Sequence, residues 1–353
     1  MTIGLLADKE TTVLPETLRI GDVSAEPGET KWGPATWVEL REGTRVHLPV
    51  ILVNGRTDGP RVVVTAAVHP TELVGTAAVQ IVTRKRIDPS KLKGSIIAFP
   101  ITNPLGMQFG QYVSPHDGSN MYVSYPGSKD GTVTSRLAHF IWENAAKGAD
   151  LAIDCHENTK PCIHFSIFPE PDNQDTERKA LEMAEAFGLT VIRTRRVYLG
   201  PGVKPADVTY IKQCMNNGIP AFAPEFEGST ELTFGEDETT MKVAVRGFMN
   251  VFKKLGMIPG EAEPQREIKV LKGDFEARGN VRANRGGIVH RGAEVGVKLP
   301  KGTPIAKVVS PYGDELETVE MPIDGYIWGW NIGDQSVRAV QPGSNIALIF
   351  SER

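Results

Sequence analysis

Arg61-Val-Val-Val-Thr-Ala-Ala-Val-His-Pro-Thr-Glu72 is the stretch on which the reading of this chain turns. Its first eight residues are a continuous apolar run rich in β-branched side chains, the pattern of a strand buried on both faces, and such strands belong to parallel sheets covered by helices. The run delivers His69 and, three residues later, Glu72, from which a helical pattern continues to Val82 with the small residues Gly75, Ala77 and Ala78 on it. In open α/β sheets functional groups collect at the carboxyl ends of the strands.

The same rhythm continues downstream. Ser95–Pro100 reads as the next strand, Ser135–Ala146 as an amphipathic helix, and Leu151–Cys155 as a third buried strand. Glu177–Phe187 reads as a helix closed by Gly188, with Thr190–Ile192 a strand after it. Pro220–Pro224 is a last short strand, and Thr240–Leu255 a long helix ended by Gly256. Strands alternating with helices predict an α/β fold with a mostly parallel sheet. Upstream, residues 1–55 read as a β-rich opening; Arg45–Asn54 is a strand, with His47 packed within it, and the turn 54–59 follows. Gly260-Glu-Ala-Glu-Pro-Gln-Arg-Glu267 is polar and reads as a linker. Beyond it, short β-like pieces separated by Gly and Pro show no helical periodicity. Two domains are therefore expected, one over 1–260 and a small all-β sandwich or barrel-like one over 268–353.

At 353 residues, a large domain plus a small one is a comfortable division. The net charge of −4 is spread along the chain, which argues against a nucleic-acid partner. No window approaches the ~18–20 apolar residues of a membrane helix, so no membrane partner is expected, and the opening residues lack the basic start of a signal peptide. Three cysteines, Cys155, Cys162 and Cys214, are an odd count without CxxC spacing, which favours a reducing, cytoplasmic compartment.

Three predicted strand ends carry notable residues: His69 and Glu72, then His156-Glu-Asn158, then Glu225-Phe-Glu-Gly228. Two imidazoles and a carboxylate are the ligand set of a catalytic zinc, with a fourth position left for water. An H-x-x-E pair alone is a weak signal. It gains weight here because His156 also ends a buried strand, with Asp154 two places before it, where a carboxylate can hold the ring's other N–H; a strand-end carboxylate satisfied elsewhere is the competing reading of Asp154.

Asn103-Pro-Leu-Gly-Met107, Asp117-Gly-Ser-Asn-Met121, Tyr125-Pro-Gly127, Ile153-Asp-Cys-His156 and Pro220-Ala-Phe-Ala-Pro-Glu225 follow His69-Pro-Thr-Glu72 in that order. As an ordered set they resemble the succinylglutamate desuccinylase/aspartoacylase family, which is related to the zinc carboxypeptidases. The resemblance spans roughly residues 60–255 and extends into the C-terminal segments Gly286-Gly-Ile288 and Asp324-Gly-Tyr-Ile327. It implies a zinc-carboxypeptidase-like three-layer α/β/α sandwich with a mixed, mostly parallel sheet and an appended β-domain. It also implies one zinc ion (Zn2+) per chain on His69, Glu72 and His156, and a glutamate base. Glu225 follows its strand directly and is the first choice; Glu227 shares its face on an extended chain and stays open as the second.

The chain departs from the family where substrate is gripped. The family's arginine after the Asn-Pro-x-Gly segment corresponds here to Gln111, and its Asn-Arg pair to Tyr122 and Val123. Glutamine lacks the charged planar fork that suits a carboxylate, and valine offers no bond. Gln111 and Tyr122 are thus the candidate substrate contacts, and a neutral or partly aromatic small-molecule amide is the expected substrate. Tyr112 and Tyr125 are wall candidates, with packing the plainer role for Tyr125. Arg193, Arg195, Arg196 and Lys212 are the cations available to bind an anion, surface solvation being the plainer role. His116 is a pocket-mouth candidate, and His164 lies in a strand-like run; His139 and His290 read as structural. Met321-Pro-Ile-Asp-Gly325 lacks the lysine of a lipoyl or biotin carrier, so the β-domain reads as a lid or a homo-oligomer contact. The expected activity is metal-dependent deacylation at C–N bonds other than peptide bonds. Carboxypeptidase-type cleavage and a zinc- or ligand-binding protein without catalysis are the alternatives.

Overall fold

In the computed structural model, which describes residues 15–158, 160–171, 173–194, 208–228, 239–330 and 338–353, the chain opens with the hairpin β1 (Leu18–Ile20) and β2 (Val23–Ala25). The long antiparallel pair β3 (Glu29–Glu39) and β4 (Arg45–Asn54) follows. His47 lies on β4 as expected, but on its exposed face opposite Trp37, so it is not a packed histidine.

Strand β5 (Thr57–Thr65) contains the run that dominates the sequence, and Val62, Val63 and Val64 are wholly buried. Strand β5 is central, flanked by β6 (Lys93–Phe99) and β7 (Leu151–Asp154), both parallel, and the crossover helices of such a sheet cover its faces. Helix α1 (Val74–Ile81) lies between β5 and β6, α2 (Pro104–Met107) after β6, and α3 (Val133–Ile141) before β7. Gly75 on α1 permits the close approach of that helix to β7: a methyl group there would sit 2.3 Å from Cys155 Cβ.

After β7 come β8 (His156–Asn158), β9 (Phe165–Pro169), α4 (Gln174–Phe187), β10 (Thr190–Thr194), α5 (Tyr210–Asn216), β11 (Ala221–Glu227) and α6 (Thr239–Lys254). Helix α4 buries Ala180, Met183, Ala184 and Phe187, the stripe of an amphipathic helix. Asn173 caps its start, and Gly188 at φ 92° ends it as expected. Phe187 sets α4 and α6 against one face of β11, packing edge-on against Phe222 and Phe248. Because side chains alternate along a strand, Glu225 and Glu227 project from the other face.

The remaining strands are β12 (Phe275–Arg282), β13 (Gly287–Arg291), β14 (Lys298–Leu299), β15 (Pro304–Val309), β16 (Glu315–Glu320), β17 (Gly325–Trp330), β18 (Ala339–Val340) and β19 (Asn345–Glu352). The main sheet runs β14-β17-β19-β12-β10-β9-β11-β7-β5-β6-β4-β3, with β8 beside β11. This is the expected α/β/α arrangement on a mixed, mostly parallel sheet, with a C-terminal antiparallel β region. Strand β12 is the element the sequence hid: polar and interrupted by Gly279, it pairs in parallel with β10 and carries the C-terminal strands into the main sheet.

The stretch around 260–270 is not a free tether. Asn250 on α6 exchanges hydrogen bonds with the backbone of Glu263, Gln265 donates to the carbonyls of Phe187 and Val243, and Arg246 pairs with Glu267. The C-terminal strands have a buried cluster of their own around Val289, Ile305, Val308 and Ile346. They also touch the segment that follows β8: Ile163 N–H donates to Trp328 O at 2.7 Å, and Trp328 stacks on Phe165. Among the described residues, no helix is long and apolar enough to cross a membrane.

Candidate functional site

Beyond Thr65 the chain leaves the sheet through Ala67, a buried residue at φ 49°. A left-handed alanine is strained and needs support from its surroundings. Asn103 supplies it: its N–H donates to Ala67 O, and its side-chain amide donates to Val68 O at 3.1 Å while accepting from Gly106 N–H. The Asn-Pro pair is thus a helix cap and a brace at once, and it fixes the turn that presents His69 and Glu72.

His156 comes from the next strand over. Thr65 and Asp154 are register partners, and Thr65 Oγ1 donates to Asp154 Oδ1 at 2.7 Å. The other oxygen of Asp154 holds His156 Nε2 at 3.0 Å, so the ring presents Nδ1 to Glu72 Oε2, also at 3.0 Å. His69 Nδ1 lies 2.9 Å from Glu72 Oε1. Glu157, beside His156, accepts from the backbone N–H of Val74 and so caps α1 from a distant strand. The two segments that carry the cluster are locked together by that bond.

His69, Glu72 and His156 each offer a ligand atom, and these atoms lie within 4.8 Å of one another. Burial opposes the charge on Glu72, but His69 and His156 outweigh it and hold its carboxyl down at about 2. A buried, ionised carboxylate between two imidazoles is a donor set that fits a divalent zinc.

Glu225 pairs in parallel register with His156, and both side chains leave the same side of the sheet. Burial raises its carboxyl to about 8; the charge of His156 works against this, and those of Glu72, Asp154 and Glu157 add to it. Glu227, paired with Asn158, stands further out. Its backbone N–H donates to His164 Nδ1, and its carboxylate lies 3.8 Å from Lys160 Nζ. His164 is thereby a buried partner of the β11 backbone.

Across from the cluster, the structure separates the two candidate contacts. Tyr122 is buried and lies beside both imidazoles, at ring centroid distances of 5.2 Å from His69 and 5.3 Å from His156. Gln111 is exposed, and its neighbour Tyr112 reaches the cluster instead: the Tyr112 ring stacks on His69 at 4.3 Å, and its hydroxyl donates to Glu72 Oε1 at 3.0 Å. The sequence offers Tyr112 as a wall candidate, and nothing in a loop without periodicity ranks it above Gln111 as the side chain that reaches the cluster.

Tyr125 packs against Tyr210, and His116 is a loop residue bonded to Gln108. His139 lies half-buried on α3, and His290 is exposed on β13. Arg193 pairs with Glu177 and Asp274 at the junction of β10 and β12, so it serves the fold. Lys212 lies early in α5; Arg195 and Arg196 fall outside the described residues.

Comparison with known proteins gives the chain its family and supports its fold. The succinylglutamate desuccinylase/aspartoacylase catalytic domain matches residues 58–234. An N-alpha-acetyl-L-2,4-diaminobutyric acid deacetylase from Halomonas elongata is 26% identical over 271 residues, 74% of each chain. A succinylglutamate desuccinylase/aspartoacylase from Rhodobacter sphaeroides superposes with a TM-score of 0.78 at 23% identity, covering 95% of this chain and 99% of its own. The product-bound ectoine utilization protein EutE (DoeB) from Ruegeria pomeroyi gives 0.77 at 18% identity, covering 91% and 95%. Such structural likeness at low identity speaks for the fold; the catalytic-domain match extends through His69, Glu72, His156 and Glu225. The chain belongs to the succinylglutamate desuccinylase/aspartoacylase family, whose named members remove acyl groups.

Proposed function

We propose that this protein is a zinc-dependent hydrolase of an amide (N-acyl) bond in a small molecule, with His69, Glu72 and His156 holding one zinc ion and Glu225 acting as general base. The observation that carries this reading is the convergence of the three ligand atoms within 4.8 Å on the ends of adjacent strands. When bound, zinc supplies a Lewis acid and lowers the pKa of water from 15.7 toward ~7.

The chain's own residues supply the rest. Asp154 fixes the His156 ring so that Nδ1 faces the metal position. Glu225 takes a proton from the attacking water and returns it to the departing nitrogen. Its raised value near 8 comes first from burial and then from the neighbouring carboxylates, and a cation beside it favours the ionised form that a base needs. Glu227, farther out and near Lys160, is the weaker candidate.

Tyr122 and Val123 offer no bidentate grip for a carboxylate, which supports a substrate that is neutral where the family's substrates are acidic. The name of the Halomonas relative supports an N-acyl bond as the target. A cytoplasmic setting, with neither nucleic acid nor membrane as partner, belongs to the same reading.

The test is turnover by zinc-loaded wild type and Glu225→Gln on matched N-acetyl amides with and without a free carboxylate. Wild type should prefer the neutral member of each pair, and Glu225→Gln should lose about 10²–10⁴ in turnover. Stoichiometric zinc without turnover of any amide would make the protein a zinc-binding one. Full activity in Glu225→Gln would move the base to Glu227.

A further inference from the structure

Hydrolysis of an amide places negative charge on the carbonyl oxygen, and a donor already aimed at that position is worth far more than one that must be recruited. Gln111 is exposed, and the Tyr122 hydroxyl is hydrogen-bonded to Thr209. Tyr112 stands differently. Its ring is clamped on the His69 imidazole, 28° from parallel, and its hydroxyl lies one hydrogen bond from Glu72, at the level of the ligand atoms.

We propose that Tyr112 is a catalytic residue whose hydroxyl, resting on Glu72 in the substrate-free site, donates to the carbonyl oxygen of the amide as water adds to it. The proposal rests on the hydrolase reading above. A cation held by the Glu72 carboxylate would make its oxygen a poorer acceptor for the phenol. The carbonyl oxygen becomes a better one as its charge grows. The hydroxyl can change partner by rotation about its C–O bond while the ring stays stacked on His69.

Tyr112 keeps its proton throughout. The bonds that change are those of the hydrolysis itself: water oxygen joins the carbonyl carbon, the C–N bond breaks, and Glu225 carries the water proton to the nitrogen. A neutral phenol in this role also suits a site that binds neutral amides, because it adds no charge to attract an acidic substrate.

Tyr112→Phe removes the hydroxyl and keeps the ring. Its kcat on an N-acetyl amide should fall about 10²–10³-fold, the cost of one lost oxyanion donor, with KM unchanged. Zinc affinity, measured by competition with a chromophoric chelator, should also be unchanged. Methylphosphonate, a tetrahedral oxyanion, should bind the zinc-loaded variant more weakly than wild type in calorimetry. Equal kcat and equal methylphosphonate affinity in the two proteins overturn the proposal. A 10–100-fold loss of zinc affinity with turnover restored by saturating zinc also overturns it, and makes Tyr112 a positioning residue for Glu72. A wild type that hydrolyses no amide overturns the hydrolase reading, and the Tyr112 role falls with it; an active wild type matched by Tyr112→Phe overturns the Tyr112 role alone.

Discussion

His69, Glu72 and His156 stand at strand ends where the polar groups are tied down, while Gln111, Tyr112 and Tyr122 stand on the long loop between Asn103 and Gly127. On the first side Glu72 is 6% exposed and His156 4%, and Asp154, Thr65 and Asn103 brace them with buried hydrogen bonds. On the second, Phe109 is 54% exposed, Val113 is 40% exposed, and the helical segments are single short turns. Buried strands permit few arrangements of a cluster, whereas loops on a rigid scaffold accept change. One side therefore suits a fixed ligand set, and the other is where a chain can acquire a tyrosine next to the candidate ligands and alter what it binds.

The contrast makes three predictions. The largest concerns Glu225, whose carboxyl is raised from 4.5 to about 8 by burial and then by neighbouring carboxylates, against the pull of His156. A raised carboxyl holds its proton in the folded state after the unfolded chain has released it. Stability of the metal-free protein should thus fall as pH rises from the ordinary carboxylate range to about 8 and level off beyond it. Glu225→Gln should remove this dependence and be more stable above pH 8 by a few kcal/mol, about 1.4 kcal/mol per pH unit of the window. Metal-free melts at several pH values check this; parallel curves for the two proteins would show that the site is not electrostatically crowded.

Asp154→Asn comes next. It keeps the side-chain shape and weakens the hold on His156 Nε2, so zinc affinity by chelator competition should fall about 10–100-fold. An unchanged affinity would mean that the strand-end brace is dispensable.

The smallest effect belongs to the loop side. Asp117 is a charged brace there: it accepts from the N–H and hydroxyl of Thr134 at the start of α3 and from Ser119 N–H. Burial opposes its charge, but these bonds outweigh it and keep its carboxyl below the usual range. Asp117→Ala should cost about 0.5–2 kcal/mol, as for a lost helix cap. The deficit should be constant above the ordinary aspartate range and shrink as acid protonates the wild-type carboxylate. Thermal melts at neutral and acid pH measure it. A loss of zinc affinity in this variant would contradict the separation of the two sides.

The legibility of the sequence followed the same line. Runs of buried β-branched residues announce strands, and a strand's end fixes where the next side chains emerge. Position accordingly marks His69, Glu72, His156 and the Glu225/Glu227 pair as strand-end residues, and the family resemblance adds the roles expected of them; the structure brings the first three together. Asp154 is readable as a carboxylate placed to hold the second ring nitrogen of His156, and of its two readings the structure shows this one. Strand β12 was not readable, because a polar strand with a glycine bulge has no hydrophobic period to show. Gln111 is favoured over Tyr112 in the sequence because it stands where the family has an arginine; in an aperiodic loop, one step along the chain turns a side chain from solvent to the cluster, and no pattern records the turn.

From the sequence alone follow the α/β class, the alternation of buried strands and helices between residues 60 and 255, and the residues that converge, because local burial patterns and strand-end positions carry that information. Only the tertiary structure decided that Glu157 caps α1 across the cluster, that Asn103 braces a left-handed alanine, and that Tyr112 rather than Gln111 faces Glu72. Each of these is a contact between segments distant in the chain or a choice of direction within a loop. Such choices are set by what packs around them and leave no periodic trace along the chain.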